Sequence, residues 1–171
     1  MLERTRRVLG IIDSISEWIG LRAYWLLGAL IALVLFDVVA RYAFNYVTAW
    51  GYEMAMMLGA GIFFMWGYVQ LHKGNIRIDV LYERLATRKR AWIDTVGVLL
   101  MALPCLTFAL IGAYRKMLDS ILFGERMMES YWLPPAAPFR VALFIGLCLV
   151  TLQFVATFIR DLHMAVKGKP L

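Results

Sequence analysis

The sequence has few charged residues, few prolines and only two cysteines. Asp, Glu, Lys and Arg together make up 18% of the 171 residues, whereas hydrophobic residues make up 62%. A soluble domain contains about 45–50% apolar and about 25% charged residues. One globule of this length cannot bury so much apolar surface, so the composition excludes a soluble enzyme, a disordered chain and a secreted disulfide scaffold. The natural solvent of this chain is a lipid bilayer.

The two cysteines, Cys105 and Cys148, both lie inside apolar segments. A cysteine in such a segment behaves as a small hydrophobic residue of a membrane helix, so we interpret neither as a redox centre. We predict that the protein is not an enzyme. We also predict no catalytic residues, no metal site, no substrate-binding residues and no cofactor.

Long uncharged segments predict the transmembrane helices. Residues 54–71, 95–114 and 141–159 contain no charged side chain. Each segment is long enough to cross a hydrocarbon core of about 30 Å as a helix, at about 1.5 Å per residue. We expect helices because an open strand would leave backbone polar groups unpaired in lipid.

The first apolar segment, residues 23–36, is shorter and lies between Arg22 and Asp37. Arg22 can extend its charged head to the membrane surface on a long apolar stem. Arg41 lies one helical turn beyond Asp37, where it can neutralise the carboxylate. The first span is therefore predicted to extend over about 21–43.

These patterns predict an all-α integral membrane protein with a single domain. Apolar residues recur every three or four positions in residues 1–20, which predicts an amphipathic helix on the cytoplasmic membrane surface. A second interfacial helix is expected in the cytoplasmic loop 72–92, and residues 117–138 form the periplasmic loop. The four predicted transmembrane helices are 21–43, 51–71, 93–116 and 139–160.

The distribution of basic residues predicts the orientation. If both termini are cytoplasmic, 13 of the 18 Lys and Arg residues lie on the cytoplasmic side, together with the whole net charge of +6. This is the positive-inside pattern of a multi-pass protein in the bacterial inner membrane. The basic face flanks the spans and carries no nucleic-acid motif, so we expect it to contact anionic phospholipids and not nucleic acid.

The predicted spans offer little transport chemistry of their own. Ionisable groups near the middle of the membrane usually mark a substrate or ion path. The third and fourth spans have none, and Glu53 lies close to the outer end of the second span. The sequence therefore predicts a membrane subunit without its own substrate path.

Three residues at the outer ends of the first two spans are predicted to act together. Arg41 ends the first span and Glu53 opens the second, with a short loop between them. We expect an ion pair between these two side chains, packed by Trp50. Breaking such a pair costs little when it is exposed and more when it is buried.

Two sets of small residues predict close helix packing. Gly51, Ala55 and Gly59 are spaced four residues apart on the second span, and Ala142 and Gly146 have the same spacing on the fourth. Small residues allow membrane helices to approach closely. We expect the set on the second span to pack inside the chain and the set on the fourth span to contact a partner subunit.

Five segments, taken in order, resemble one family. The match extends over nearly the whole chain, and its strength lies in the order, spacing and placement of the segments within four spans. The chain resembles the small membrane (Q) subunit of tripartite ATP-independent periplasmic transporters, called TRAP transporters. The segments are Arg-Tyr-Ala-Phe-Asn at 41–45, Trp-Gly-Tyr-Glu at 50–53, Ile-Arg-Ile-Asp-Val-Leu at 76–81, Trp-Leu-Pro-Pro at 132–135, and Leu-Gln at 152–153 after Gly146.

The resemblance implies a function that composition alone does not. Transporters of this family take up organic acids with a cation gradient, usually sodium. A periplasmic substrate-binding (P) protein delivers the anion to a large multispan (M) subunit, and the small subunit resembles a scaffold for the static part of that large subunit. We expect Arg77 and Asp79 to help contact the large subunit on the cytoplasmic side.

Two other function classes are compatible with parts of the sequence. One is a four-span exporter of the small multidrug type, in which Glu53 is the proton-coupled acid. The other is a membrane anchor of an oxidoreductase that uses His72 and His163, both at the cytoplasmic edge. A large multispan protein and a periplasmic binding protein encoded by neighbouring genes would favour the TRAP interpretation over the exporter.

Overall fold

A computed structural model describes residues 2–72, 86–129 and 131–169 of the chain. The described residues are predominantly helical, and four helical stretches are long and apolar enough to cross a membrane. The predicted all-α fold with four membrane helices is therefore confirmed. The helices are α1 (Leu2–Phe44), α2 (Gly51–Gly59), α3 (Gly61–Leu71), α4 (Thr87–Gly97), α5 (Leu103–Phe123) and α6 (Ala137–Lys167).

The first span and the N-terminal segment form one continuous helix. Helix α1 has 43 residues and is about 65 Å long. Residues 2–20 are helical, as expected for an amphipathic segment, but they continue into the first span without a break. Part of this segment packs against the other spans, since Leu9 and Ser16 are buried. Helix α1 ends where Asn45 adopts a left-handed conformation with φ of 54°.

The second span consists of two helices that meet at Ala60. Helix α2 ends at Gly59, and α3 begins at Gly61. The amide of Phe63 donates to the carbonyl of Ala60 at 3.2 Å, a tighter turn than in an α-helix. Gly61 lies against the Leu26 side chain of α1, so the missing Cβ allows the two spans to approach closely there.

The third span contains a π-helical turn, Val98–Ala102, between α4 and α5. The amide of Leu103 donates to the carbonyl of Val98, five residues earlier. Pro104 follows at once; it has no N–H to donate, and its ring would clash with the carbonyl four residues earlier in a regular α-helix. The π turn accommodates this proline without ending the membrane helix.

Helix α6 is central to the packing of the spans. It packs against α3, α4 and α5, while α1 packs mainly along α2 and α3. The buried apolar core lies between the third and fourth spans and includes Leu106, Leu147 and Val150. Along this packing the four spans follow the order first, second, fourth and third.

The loop between the third and fourth spans is folded. We call its side of the spans, which is opposite to both termini, the outer side, and the side of the termini the inner side. Helix α5 extends to Phe123, beyond the predicted span end at 116, and Gly124 ends it with φ of 60°. The two arms of the loop then pair: the Met127 amide donates to the Pro134 carbonyl at 2.9 Å, and the Ala136 amide donates to the Glu125 carbonyl at 3.0 Å. The predicted loop 117–138 is thus part helix and part hairpin.

Much of the predicted cytoplasmic loop 72–92 lies outside the described residues. Arg77 and Asp79, and the interfacial helix expected around them, fall in that part of the chain. The described end of the loop belongs to α4, which begins at Thr87 and continues directly into the third span.

Candidate functional site

A partly buried network of polar side chains connects the N-terminal part of α1 to α6. We call Asp13, Ser16, Gln153 and Arg160 the inner polar cluster. The Ser16 hydroxyl donates to Gln153 Oε1 at 2.9 Å, and Gln153 Nε2 donates to Asp13 Oδ1 at 3.1 Å. Arg160 Nη2 donates to Asp13 Oδ2 and forms an ion pair with it. Gln153 has no solvent-exposed surface in this arrangement.

The inner polar cluster is a helix–helix connection. Its members donate to and accept from one another, so burial of Gln153 and Ser16 leaves their hydrogen bonds intact. An unpaired polar group in an apolar environment is costly, so such pairing is strongly favoured once the helices lie together. The sequence indicated Gln153 as a polar residue of the fourth span. It did not indicate that its partners lie 137 and 140 residues earlier.

A second polar group, the outer polar cluster, lies at the outer ends of the first two spans and consists of Asp37, Arg41 and Thr48. Arg41 Nη2 lies 2.8 Å from Asp37 Oδ2, as the four-residue spacing predicted. The Thr48 hydroxyl donates to Asp37 Oδ1. A Cβ added at Gly51 would lie 2.5 Å from Thr48 Oγ1, so the helix α2 starts in close contact with this cluster.

The structure pairs Arg41 with another carboxylate than the predicted Glu53. Arg41 pairs with Asp37 on its own helix, and its side chain is 53% exposed. Glu53 is fully buried near the start of α2. Arg41 pairs with Asp37 because residues four apart on one helix lie side by side, whatever the tertiary structure. Trp50 does connect the two spans, because its ring stacks on Phe36 of α1 with centroids 6.1 Å apart.

The structure reverses part of the prediction for the small residues. A Cβ added at Gly146 would lie 2.7 Å from Phe63 Cβ, so Gly146 packs inside the chain against the second span. No atom of the described chain lies within 4 Å of a Cβ added at Gly59, so this position faces open space. Gly51 packs internally, as expected, against Asp37 and the loop.

A basic residue at the start of the fourth span holds the outer loop. Arg140 Nη1 donates to the Ser120 hydroxyl at 2.6 Å and to the Lys116 carbonyl at 3.1 Å. The same nitrogen forms an ion pair with Glu125 at the base of the hairpin. Arg140 thus joins the end of α5, the hairpin and α6. The tip of the hairpin is exposed, and Tyr131 is 99% accessible.

The described side chains do not form a metal-binding cluster. Within residues 2–72, 86–129 and 131–169, no group of three or more His, Cys, Asp and Glu side chains is placed to hold a metal ion. The polar side chains described above connect helices to one another and to the outer loop.

Four membrane-crossing helices joined by internal polar clusters define a polytopic membrane subunit. Residues 30–164 match the family model described as "Tripartite ATP-independent periplasmic transporters, DctQ component". The match covers most of the chain, and the chain belongs to this family of transporter components, as the resemblance had predicted. It is a small membrane component of a TRAP transporter. Comparison with curated proteins gave no match, and comparison with solved structures gave none either.

Proposed function

We propose that this protein is the scaffold subunit of a sodium-coupled TRAP transporter that imports organic acids. A large multispan subunit carries the substrate and sodium sites, and a periplasmic binding protein delivers the substrate to it. The small subunit supports the static part of the large subunit and forms no substrate path itself. Family membership supports the transporter assignment.

The internal use of polar side chains supports the scaffold role. In the inner polar cluster, Gln153 of α6 bonds to Ser16 and Asp13 of α1. The hydroxyls of four threonines in the third and fourth spans bond to a carbonyl one turn earlier in their own helix, so these groups are already occupied. They are Thr95 with Ala91 at 2.7 Å, Thr107 with Leu103 at 2.7 Å, Thr151 with Leu147 at 2.7 Å, and Thr157 with Gln153 at 3.0 Å.

Transport measurements test the scaffold role. The chain is reconstituted into vesicles alone, and then with its large subunit and binding protein. We expect background flux of labelled organic acids from the chain alone and sodium-dependent uptake from the complete system. Saturable, sodium-dependent uptake by this chain alone would overturn the proposal. Proton-coupled export by the chain alone that Glu53→Gln abolishes would support a small multidrug-type exporter instead.

We also propose that both termini are cytoplasmic, in the inner membrane of a bacterium. The excess of Lys and Arg on that side supports this orientation. Reporter fusions after Lys169 and within residues 124–130 test it. We expect a cytoplasmic signal from the first and a periplasmic signal from the second, and a periplasmic signal after Lys169 would reverse the orientation.

For contact with the large subunit, we propose the side of the second span that carries Gly59, with Arg77 and Asp79 contributing on the cytoplasmic side. The open space beside Gly59 supports this choice over Gly146, which already packs on Phe63. Gly59→Leu is expected to reduce co-purification of the large subunit while this chain stays folded. Unchanged co-purification would place the contact elsewhere.

A further inference from the structure

In the described part of the third span, the carbonyl of Leu99 has no main-chain donor at the spacing of an α-helix or of a π-helix. In an α-helix it would accept from the amide of Leu103, but that amide donates to the carbonyl of Val98. At the spacing of the π turn it would accept from residue 104, which is a proline and has no N–H. The π turn thus accommodates the proline ring but leaves Leu99 without a helical donor.

Neighbouring polar side chains do not supply the missing donor. Thr95 and Thr107 are the hydroxyl-bearing residues nearest to Leu99 in the third span. Each donates at 2.7 Å to a carbonyl one turn earlier in its own helix. On the adjacent fourth span, the Gln153 amide donates to Asp13 of α1. The Leu99 carbonyl therefore remains an available acceptor on the described part of the chain.

The turn around Leu99 is open on the outside of the packed helices. Leu99, Leu100 and Met101 are 48%, 68% and 72% exposed. Consecutive residues of a helix point roughly 100° apart, so three exposed neighbours leave most of the circumference of this turn uncovered by the described chain. The third span is also the least buried of the four spans that the structure describes. A second protein can therefore reach this turn from outside.

The carbonyl lies at a depth where lipid offers no donor. Leu99 is five residues beyond Asp94, the last charged residue at the inner end of the span, which places it about 7.5 Å further into the membrane. Helix carbonyls point toward the C-terminal end of the helix, so this oxygen is directed toward the middle of the membrane. Hydrocarbon tails cannot donate a hydrogen bond, and a backbone group without a partner is costly there. The missing donor has to come from protein.

We propose that the Leu99 carbonyl accepts a hydrogen bond from a polar side chain on a membrane helix of the large subunit. The donor is an uncharged hydroxyl or amide group, the kind that joins helices within membranes. This contact rests on the scaffold function proposed above. Phe63 of the second span and Ala102 of the π turn line one pocket, so a partner helix on that side can contact both spans.

Solid-state NMR of the full chain in bilayers observes this carbonyl directly. Leucine is labelled with ¹³C at the carbonyl and with ¹⁵N, which selects carbonyls followed by a second leucine. The sequence contains two such pairs, 26–27 and 99–100, and Leu27→Ile removes the first and so assigns the signals. When the unlabelled large subunit binds, we expect the Leu99 signal to move downfield, as a carbonyl does when it gains a donor. The Leu26 carbonyl lies within the unbroken helix α1 and should not move.

Replacing the proline tests the cause of the contact. Pro104→Ala restores an amide that can donate within the helix, so the Leu99 signal should lie downfield already in the isolated chain. The large subunit should then bind about three- to tenfold more weakly, which is the contribution of one interhelical hydrogen bond. Pro138→Ala is the matched control. It replaces a proline in the first turn of α6, where the amide needs no helical partner, and should leave the affinity unchanged.

Three results would overturn the contact. The first is a Leu99 signal that stays in place while the large subunit binds the parent chain. The second is unchanged affinity of the Pro104→Ala chain, with helical content by circular dichroism equal to that of the parent. The third is a downfield shift in the concentrated chain without the large subunit, which would assign the position to a second copy of this chain. Binding of the large subunit to the parent chain tests the proposed function itself, so the two proposals fail separately.

Discussion

Gly146 of the fourth span lies so close to Phe63 of the second span that a Cβ atom at position 146 would stand 2.7 Å from Phe63 Cβ. Any side chain at this position must push the two helices apart or move the Phe63 side chain at its base. The contact occurs beside the buried core, where packing leaves little room for such movement.

We therefore expect Gly146→Ala to destabilise the isolated chain by about 1–3 kcal/mol. Reversible unfolding in mixed micelles, followed by tryptophan fluorescence, measures the change. Gly59→Ala is the matched control, because no described atom lies within 4 Å of its added Cβ. Equal unfolding free energies for the two variants would contradict the close contact at Gly146.

The inner polar cluster makes a second prediction. Replacing Gln153 by Leu removes hydrogen bonds to both Ser16 and Asp13, whereas Ser16→Ala removes only one. Interhelical hydrogen bonds in membranes contribute about 0.6 kcal/mol on average and up to about 1.7 kcal/mol. Gln153→Leu should therefore lower the unfolding free energy more than Ser16→Ala.

A double-mutant cycle on Ser16 and Gln153 should show coupling, since each single change already removes their shared bond. Thr151→Val serves as the control on the same helix, because the Thr151 hydroxyl bonds only to the Leu147 carbonyl one turn away. Additive effects at positions 16 and 153 would show that the bond contributes nothing to stability.

The outer polar cluster predicts which residues are coupled at the other end of the spans. Arg41 is largely exposed, so Arg41→Ala should cost less than about 1 kcal/mol. Thr48 is buried and donates to Asp37, so Thr48→Val should cost more, because it leaves a carboxylate oxygen without that donor.

Double-mutant cycles by the same unfolding assay separate the two possible partners of Arg41. We expect coupling between Arg41 and Asp37 and additive effects for Arg41 and Glu53. Strong coupling in the second cycle, with none in the first, would restore the ion pair that the sequence had predicted.

The outer loop depends on Arg140. Replacing this side chain by Gln removes the ion pair with Glu125 and weakens the connection to Ser120 and the end of α5. Amide hydrogen exchange in residues 124–136 should then rise by about tenfold, while the membrane helices keep their protection. Arg115→Gln removes an exposed charge on the same side and should leave exchange in the hairpin unchanged. Equal exchange in both variants would show that Arg140 does not hold the loop.

The sequence predicts the membrane helices well because hydropathy reports directly on their length. The second span was expected at 51–71, and its two helices together occupy Gly51–Leu71. The third span is longer than the predicted 93–116, because a helix continues beyond the hydrocarbon core as long as its backbone bonds and ends permit.

Hydrogen-bond partners that are far apart in the chain cannot be identified from the sequence in this way. The pair of Asp37 and Arg41 is visible in the sequence, since four-residue spacing fixes it on any helix. The bond between Ser16 and Gln153 joins residues 137 positions apart and depends on which faces of two helices meet. The same limit applies to the small residues of the second and fourth spans. Their spacing shows that they share one face of a helix, but it does not show which helix packs against that face.

Because α1 is one unbroken helix, the number of its residues fixes how its two ends are oriented relative to each other. Asp13 near its inner end bonds to Gln153, and Asp37 near its outer end bonds to Thr48. Adding one residue in between would turn one end about 100° relative to the other and shift it about 1.5 Å. Both polar clusters could not then face their partners at once. The number of residues between the two aspartates therefore sets both the distance between the two polar clusters and the angle between the directions in which they point.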